Sequence, residues 1–205
     1  MKVVRIEYDK KRSVFEIEVE DGKNFVLNYN SFEKYKISLD SELSETEILQ
    51  IETQSDIERA KEKALNYIAG KLKTKNEVKS KLVQCGFNQD ISDEVVFILE
   101  NENFLNDRLY AQLFIDDKIK INGYGKNKIK SLLIQRGVSS FVFQDLLDNL
   151  DFDDEFENAL KLGIKKLKLL KNEDNLFKKK QKLINYLAYR GFGFEIINRV
   201  LEEIL

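Results

Sequence analysis

The chain has no histidine, no proline and no tryptophan among its 205 residues, and only one cysteine and one methionine. Each absence removes a class of behaviour. Without histidine there is no histidine triad, no histidine metal ligand and none of the commonest general base. Cys85 cannot close an intramolecular disulfide, and one thiol without histidine makes a poor metal site, so it reads as a small apolar residue near a helix end. No apolar run approaches the roughly 18 residues of a membrane span, and nothing at Met1 resembles a charged, apolar, cleavable leader. A soluble, cytoplasmic protein without membrane contact is expected. The glycine and lysine string at 123–128 lacks the G-x-x-x-x-G-K-[ST] spacing of a Walker loop, so nucleotide hydrolysis is not expected. No cofactor is expected. With no proline and nine glycines, most of the chain is free to be helix.

What is present is repetition. Around Gly137 the apolar positions Ile129, Leu133, Ile134, Val138, Val142, Leu146, Leu147 and Leu150 have helical spacing on both sides of a glycine stop. Shifted back by 51 positions, the same columns hold Val78, Leu82, Val83, Gly86, Phe87, Ile91, Val95, Val96 and Leu99. Shifted forward by 54 they hold Leu183, Leu187, Ala188, Gly191, Phe192, Ile196, Val200, Leu201 and Ile204. Nine columns filled three times without an internal shift define a tandem array. Each unit reads as a first helix, a connection, a second helix closed by glycine, a sharp turn and a third helix. A unit of about fifty residues hides little apolar surface alone, so an elongated, curved array of stacked units sharing cores is expected.

Residues 3–8 and 14–29 contrast with all that follows. Phe15, Ile17 and Val19 alternate with Glu16, Glu18 and Glu20, Asp21-Gly22 reads as a tight two-residue turn, and Phe25, Leu27 and Tyr29 alternate on the return. A small hairpin or three-stranded sheet resting on the following helices is expected. Three Ser/Thr-x-x-Glu patterns, Ser44 with Glu47, Ser55 with Glu58 and Thr74 with Glu77, predict helix starts. They place helices near 44–52, 55–70 and 74–85. First helices are expected near 55–70, 106–121 and 152–170, and Asn88, Ser139 and Gly193 as N-caps of the third helices. The fold class is therefore mainly α: three tandem three-helix, helix-turn-helix-like repeats at 55–105, 106–151 and 152–205, after a β-rich extension with a short helix at 1–54.

A net charge of −2 conceals a regular alternation. Residues 61–86, 108–140 and 161–190 carry net charges of +5, +5 and +8, whereas 87–107 and 141–160 carry −6 and −7. First and second helices are basic and third helices acidic. Surface pairing between them, at roughly 0 to 1 kcal/mol per pair, explains part of the pattern. It explains less well Lys126 and Lys128, which fall in the first turn of a helix after Gly123-Tyr124-Gly125, where a cation opposes the helix dipole. Exposed glycine amides, a helix N-terminus and two lysines predict a phosphate cradle. Lys73 and Lys75 flank the equivalent helix start in the first repeat, and Lys178, Lys179, Lys180 and Lys182 crowd the second helix of the third. Tyr124, Tyr186 and Tyr189 lie among these bases, placed either for packing or for stacking on nucleobases.

Several strings together resemble a known family. They are Ala64-Leu65-Asn66-Tyr67-Ile68 followed by Thr74, Glu77, Val78 and Leu82 to Phe87; Phe104 to Ala111 with Phe114; Gly123-Tyr124-Gly125 with Ile129 and Gly137; and Tyr189-Arg190-Gly191-Phe192 with Ile197, Val200 and Leu201. Their order and spacing, from about residue 60 to the end, look like RecX, the bacterial modulator of the RecA recombinase. The N-terminal β segment is similar to the extension of some RecX lineages. The resemblance implies a non-enzymatic, cytoplasmic regulator of DNA repair, recombination and the SOS response. It would bind the RecA filament on single-stranded DNA, lie in its groove, and limit ATP hydrolysis and strand exchange. Salt-sensitive contact with single-stranded or double-stranded DNA is expected, and an array with two dissimilar ends can work as a monomer. Candidate filament or DNA contacts are Lys73, Lys75, Lys79 and Lys81; Tyr124, Lys126, Lys128, Lys130 and Arg136; and Lys178, Lys179, Lys182 and Arg190. Where members often have proline and arginines after Gly-Tyr-Gly, this chain has Lys126, Asn127 and Lys128, which offer point charges and not bidentate forks. The alternative is a stand-alone helix-turn-helix DNA-binding protein, against which stand acidic third helices that the major groove would repel.

Overall fold

Alternating apolar residues near the N-terminus build an antiparallel sheet of three strands, β1 (Val3–Asp9), β2 (Val14–Val19) and β3 (Asn24–Asn28), in the order β1-β2-β3. Ten helices follow in the computed structural model, which describes residues 1–171 and 173–205. The chain divides into two compact units, Met1–Leu105 and Asn106–Leu205.

In the first unit the β2–β3 connection differs from the two-residue turn expected at Asp21-Gly22. Gly22 N–H donates to the Val19 carbonyl, Val19 N–H donates to the Lys23 carbonyl, and only Gly22 takes a positive φ (+80°). This is a three-residue loop, a β-turn closed by a left-handed glycine. After β3 comes a short helix absent from the sequence reading, α1 (Tyr29–Tyr35), capped by Asn28. Then α2 (Glu45–Ile68) runs unbroken where two helices, 44–52 and 55–70, were expected. Its start at the Ser44–Glu47 capping box is as expected. The error lies at Ser55. Ser55 and Glu58 share a face of α2 and serve a different helix: Ser55 Oγ accepts from Asn28 N–H (2.8 Å), and Glu58 accepts from the Asn28 amide (3.0 Å) and the Ser31 hydroxyl (3.1 Å). The pair has capping chemistry, but it steadies the β3–α1 junction from outside.

The first half of α2 therefore covers the sheet, with Ile51 joining Ile17, Val19, Phe25 and Leu27. Its second half supplies Ala60 and Ala64 to the first repeat, completed by α3 (Lys75–Gln84) and α4 (Gln89–Asn101). The second unit holds two more such bundles: α5 (Asp107–Lys120), α6 (Lys126–Gln135) and α7 (Ser140–Asp148), then α8 (Phe152–Leu169), α9 (Leu176–Arg190) and α10 (Phe194–Ile204).

The glycine stop has one geometry in all three bundles. Gly86, Gly137 and Gly191 adopt φ of +94°, +77° and +94°, and the next amide, of Phe87, Val138 or Phe192, donates back to the carbonyl of Leu82, Leu133 or Leu187. This Schellman closure folds an apolar residue onto the buried leucine one turn earlier, which is why the stop reads Gly-Phe or Gly-Val. Of the nine columns, Val78/Ile129/Leu183 and Leu82/Leu133/Leu187 are fully buried. The column Val83/Ile134/Ala188, apolar in all three repeats, is exposed in each. The column Ser92/Phe143/Ile197 is buried instead, and was hidden by its serine. Among the expected N-caps, Asn88 accepts from Ile91 N–H, whereas Ser139 and Gly193 occupy the position without a side-chain bond. Cys85 caps α3 and is exposed.

Candidate nucleic-acid and filament interface

In the first repeat the lysines of α3 turn toward the acids of α4. Lys75 Nζ lies 2.8 Å from Glu100 and Lys79 Nζ 2.6 Å from Asp93. Lys73 and Lys81 sit over the ring of Tyr67, at 4.5 and 6.0 Å from its centroid. Half-exposed pairs of this kind contribute roughly 0 to 1 kcal/mol each, and they account for the charge alternation of this repeat without an external polyanion.

The second repeat repeats one of these contacts with its charge reduced. Lys130, one repeat on from Lys79, donates to Gln144 (3.0 Å), one repeat on from Asp93. Arg136 lies over Phe114 at 5.8 Å. The phosphate cradle expected at 123–128 is not what the fold builds. The Gly125 amide donates to the Arg190 carbonyl (3.0 Å), Asn127 to the Gly191 carbonyl (3.1 Å), and Lys126 N–H to the Glu155 carboxylate (3.0 Å). The Lys126 ammonium donates to the Leu150 carbonyl (2.9 Å) and lies 3.6 Å from Glu155, whose side chain is 11% exposed. The helix N-terminus thus receives its anion from α8. Beside it a cleft of about 200 Å³ is lined by Asp116, Asp151, Asp154 and Glu155, whose charge would repel a phosphate. Glu155 arrives from 29 residues downstream of Lys126, beyond the reach of local sequence spacing.

The glycines serve close approach. A Cβ on Gly125 would stand 2.6 Å from the Gly191 carbonyl oxygen, and one on Gly191 would stand 2.3 Å from Lys128 N. Backbone meets backbone here, which joins the second and third repeats. Arg190 completes the seam: its guanidinium donates to the Asn122 carbonyl (2.9 Å) and lies over Tyr124 and Tyr186, at 5.7 and 5.3 Å. Arg190 and Tyr124, both candidate contacts, pack against each other in this unit. Lys128 lies 4.9 Å over Tyr189, and that ring remains exposed.

The third repeat differs. Lys182 pairs with Glu173 and holds that carboxyl below the usual carboxylate range. Lys178, in the first turn of α9, acts on the same Glu173 carboxylate, and Lys179 beside it has no side-chain partner among the described residues. The same is true of Lys165, Lys168, Lys171 and Lys180, which flank the connection from α8 to α9. Lys165, Lys168 and Lys171 were absent from the sequence candidates, although the net +8 of residues 161–190 pointed at them.

Models of the RecX first, second and third three-helix domains match residues 60–96, 106–147 and 153–201, and the regulatory protein RecX of Clostridium perfringens strain 13 is 31% identical over 99% of this chain and 96% of its own length. This chain belongs to the RecX family. The regulatory protein RecX of Finegoldia magna is 29% identical over 98% of both chains. A crystal structure of a regulatory protein RecX shares the fold with a TM-score of 0.74 at 20% identity, over 98% of each chain. That of RecX from Lactobacillus salivarius gives 0.67 at 26% identity, over 74% of this chain and 97% of the other. In this RecX family member, the candidate lysine without a side-chain partner among the described residues, Lys179, lies in the third repeat.

Proposed function

We propose that this RecX family member is a non-enzymatic regulator that binds the RecA filament on single-stranded DNA and restrains its ATP hydrolysis and strand exchange. The observation that carries the reading is the match of all three RecX domains in order, together with relatives over nearly the whole chain that are named regulatory proteins. The physical chemistry agrees with it. Internal partners take up much of the basic surface of the first two repeats, while Lys179 has no side-chain partner among the described residues and Lys178 shares Glu173 with Lys182. A stand-alone helix-turn-helix reader is not favoured. Its third helices would have to enter the major groove, whereas residues 87–107 and 141–160, which hold nearly all of the first two, carry net charges of −6 and −7.

The test is RecA-catalysed ATP hydrolysis on single-stranded DNA with substoichiometric amounts of this protein. Inhibition is expected, and undiminished hydrolysis across a wide titration would overturn the proposal. For direct DNA contact through about five phosphates, log affinity should fall against log salt with a slope near −3.5. Lys178→Glu with Lys179→Glu should make that slope shallower by about 1.4, at roughly 0.7 per phosphate lost.

A further inference from the structure

The N-terminal sheet carries a group of rings that the repeats do not use. Tyr8 of β1 and Phe15 of β2 are cross-strand partners with ring centroids 4.9 Å apart. Phe15 stacks on Phe32 of α1 (3.9 Å, 13° between planes) and meets Tyr29 at 6.2 Å. These rings continue the apolar face formed by Ile17, Val19, Phe25 and Leu27, but Ile48 and Ile51 of α2 cover only part of it. Tyr8 is left 47% exposed and Tyr29 57% exposed. Two open tyrosine faces are thus held in place by a stacked phenylalanine pair.

Charge is sorted around this face by strand alternation. Glu7 and Glu16, sequence neighbours of Tyr8 and Phe15, fall on the reverse face and are neutralised by Arg5 (2.7 Å) and Arg12 (2.6 Å). Asp9 is occupied by the β1–β2 turn, where it accepts from the amides of Lys11 (2.8 Å) and Arg12 (3.2 Å). That turn carries Lys10 and Lys11, two and three residues after Tyr8, both exposed and without a side-chain partner among the described residues. On α1, Lys34 lies 5.4 Å over Tyr35 and Lys36 follows at the helix end, against the one acid Glu33.

We propose that this ring face binds single-stranded nucleic acid, with Tyr8 and Tyr29 stacking on unpaired bases and Lys10 and Lys11 contacting the phosphates between them. Stacking on an open ring needs a base whose face is free, which a single strand offers and a duplex withholds. The unpaired lysines select a polyanion. The inference rests on the reading that this protein meets single-stranded DNA, to which it adds a contact outside the three RecX domain matches.

The experiment measures binding of the full chain to a fluorescent oligo-dT by anisotropy, with ultraviolet cross-linking to locate the contact. Cross-links are expected in the peptides containing Tyr8, Phe15 and Tyr29. Tyr8→Ser with Tyr29→Ser should weaken binding by about tenfold or more, the loss expected for one or two stacked bases. Lys10→Glu with Lys11→Glu, in an exposed turn that does not test folding, should weaken it severalfold. Unchanged affinity in both double variants, with loss in Lys178→Glu/Lys179→Glu, overturns the inference and leaves the third-repeat contact standing. No binding by the unaltered protein overturns both. Loss of RecA inhibition in Tyr8→Ser/Tyr29→Ser at unchanged oligo-dT affinity marks the face as a protein contact and also overturns the inference.

Discussion

Replacing Gly125 by Ala separates two accounts of the Gly-Tyr-Gly turn. The added Cβ would stand 2.6 Å from the Gly191 carbonyl oxygen and 2.7 Å from Phe192 N, so the two backbones must part by about 0.8 Å to reach an ordinary contact. That displacement breaks or weakens the bonds from Gly125 N–H and Asn127 N–H, at 3.0 and 3.1 Å, to the carbonyls of Arg190 and Gly191. At about 0.5 kcal/mol for each weakened bond and 1–3 kcal/mol for overpacking, the cost is centred on about 3 kcal/mol. For a unit of this size, with a urea dependence of about 1–2 kcal/mol per molar, the midpoint should fall by about 1.5–3 M. Urea denaturation followed by circular dichroism reads it directly. Gly70→Ala is the control: nothing lies within 4 Å of its Cβ position, and its midpoint should hold or rise slightly. A Gly125→Ala protein within about 0.5 kcal/mol of the original refutes the close-approach argument. If such a protein also lost affinity for single-stranded DNA, the glycine would be exposing amides to phosphate after all.

Two further outcomes follow from the β3–α1 junction. Ser55→Ala should destabilise the first unit by about 1–3 kcal/mol in the same assay, because the Asn28 amide loses its acceptor inside the fold. Burial pushes the Glu58 carboxyl up, but hydrogen bonds from Asn28, Gln54 and Ser31 outweigh it and hold the group below its ordinary value. The stability this contributes is present above the unfolded value of about 4.3 and is lost as pH falls through the lower folded value. Thermal midpoints measured from about pH 5 downward should therefore fall more steeply for the original protein than for Glu58→Gln. Parallel curves would show that Glu58 does not hold the junction.

The triplicated helices, their glycine closures and the N-terminal strands were all legible along the chain, because each is set by residues within one or two turns of one another. Leu82, Gly86 and Phe87 dictate a Schellman closure in their own sequence neighbourhood, as do their counterparts in the other repeats. The same local reading assigned Ser55 to a helix start and Lys126 to an anion site, and both assignments failed for one reason. A hydroxyl, a carboxylate or an ammonium takes whichever partner folding brings within 3 Å, and Asn28 and Glu155 reach theirs from 27 and 29 residues away. Likewise Arg190 looks like a surface cation in sequence and becomes a seam only when Asn122, Tyr124 and Tyr186 close around it. Periodicity, charge alternation and the family resemblance belonged to the sequence alone. Which lysines keep their charge free for a polyanion was decided by the tertiary structure, since ion pairing depends on distance in space and not on spacing along the chain.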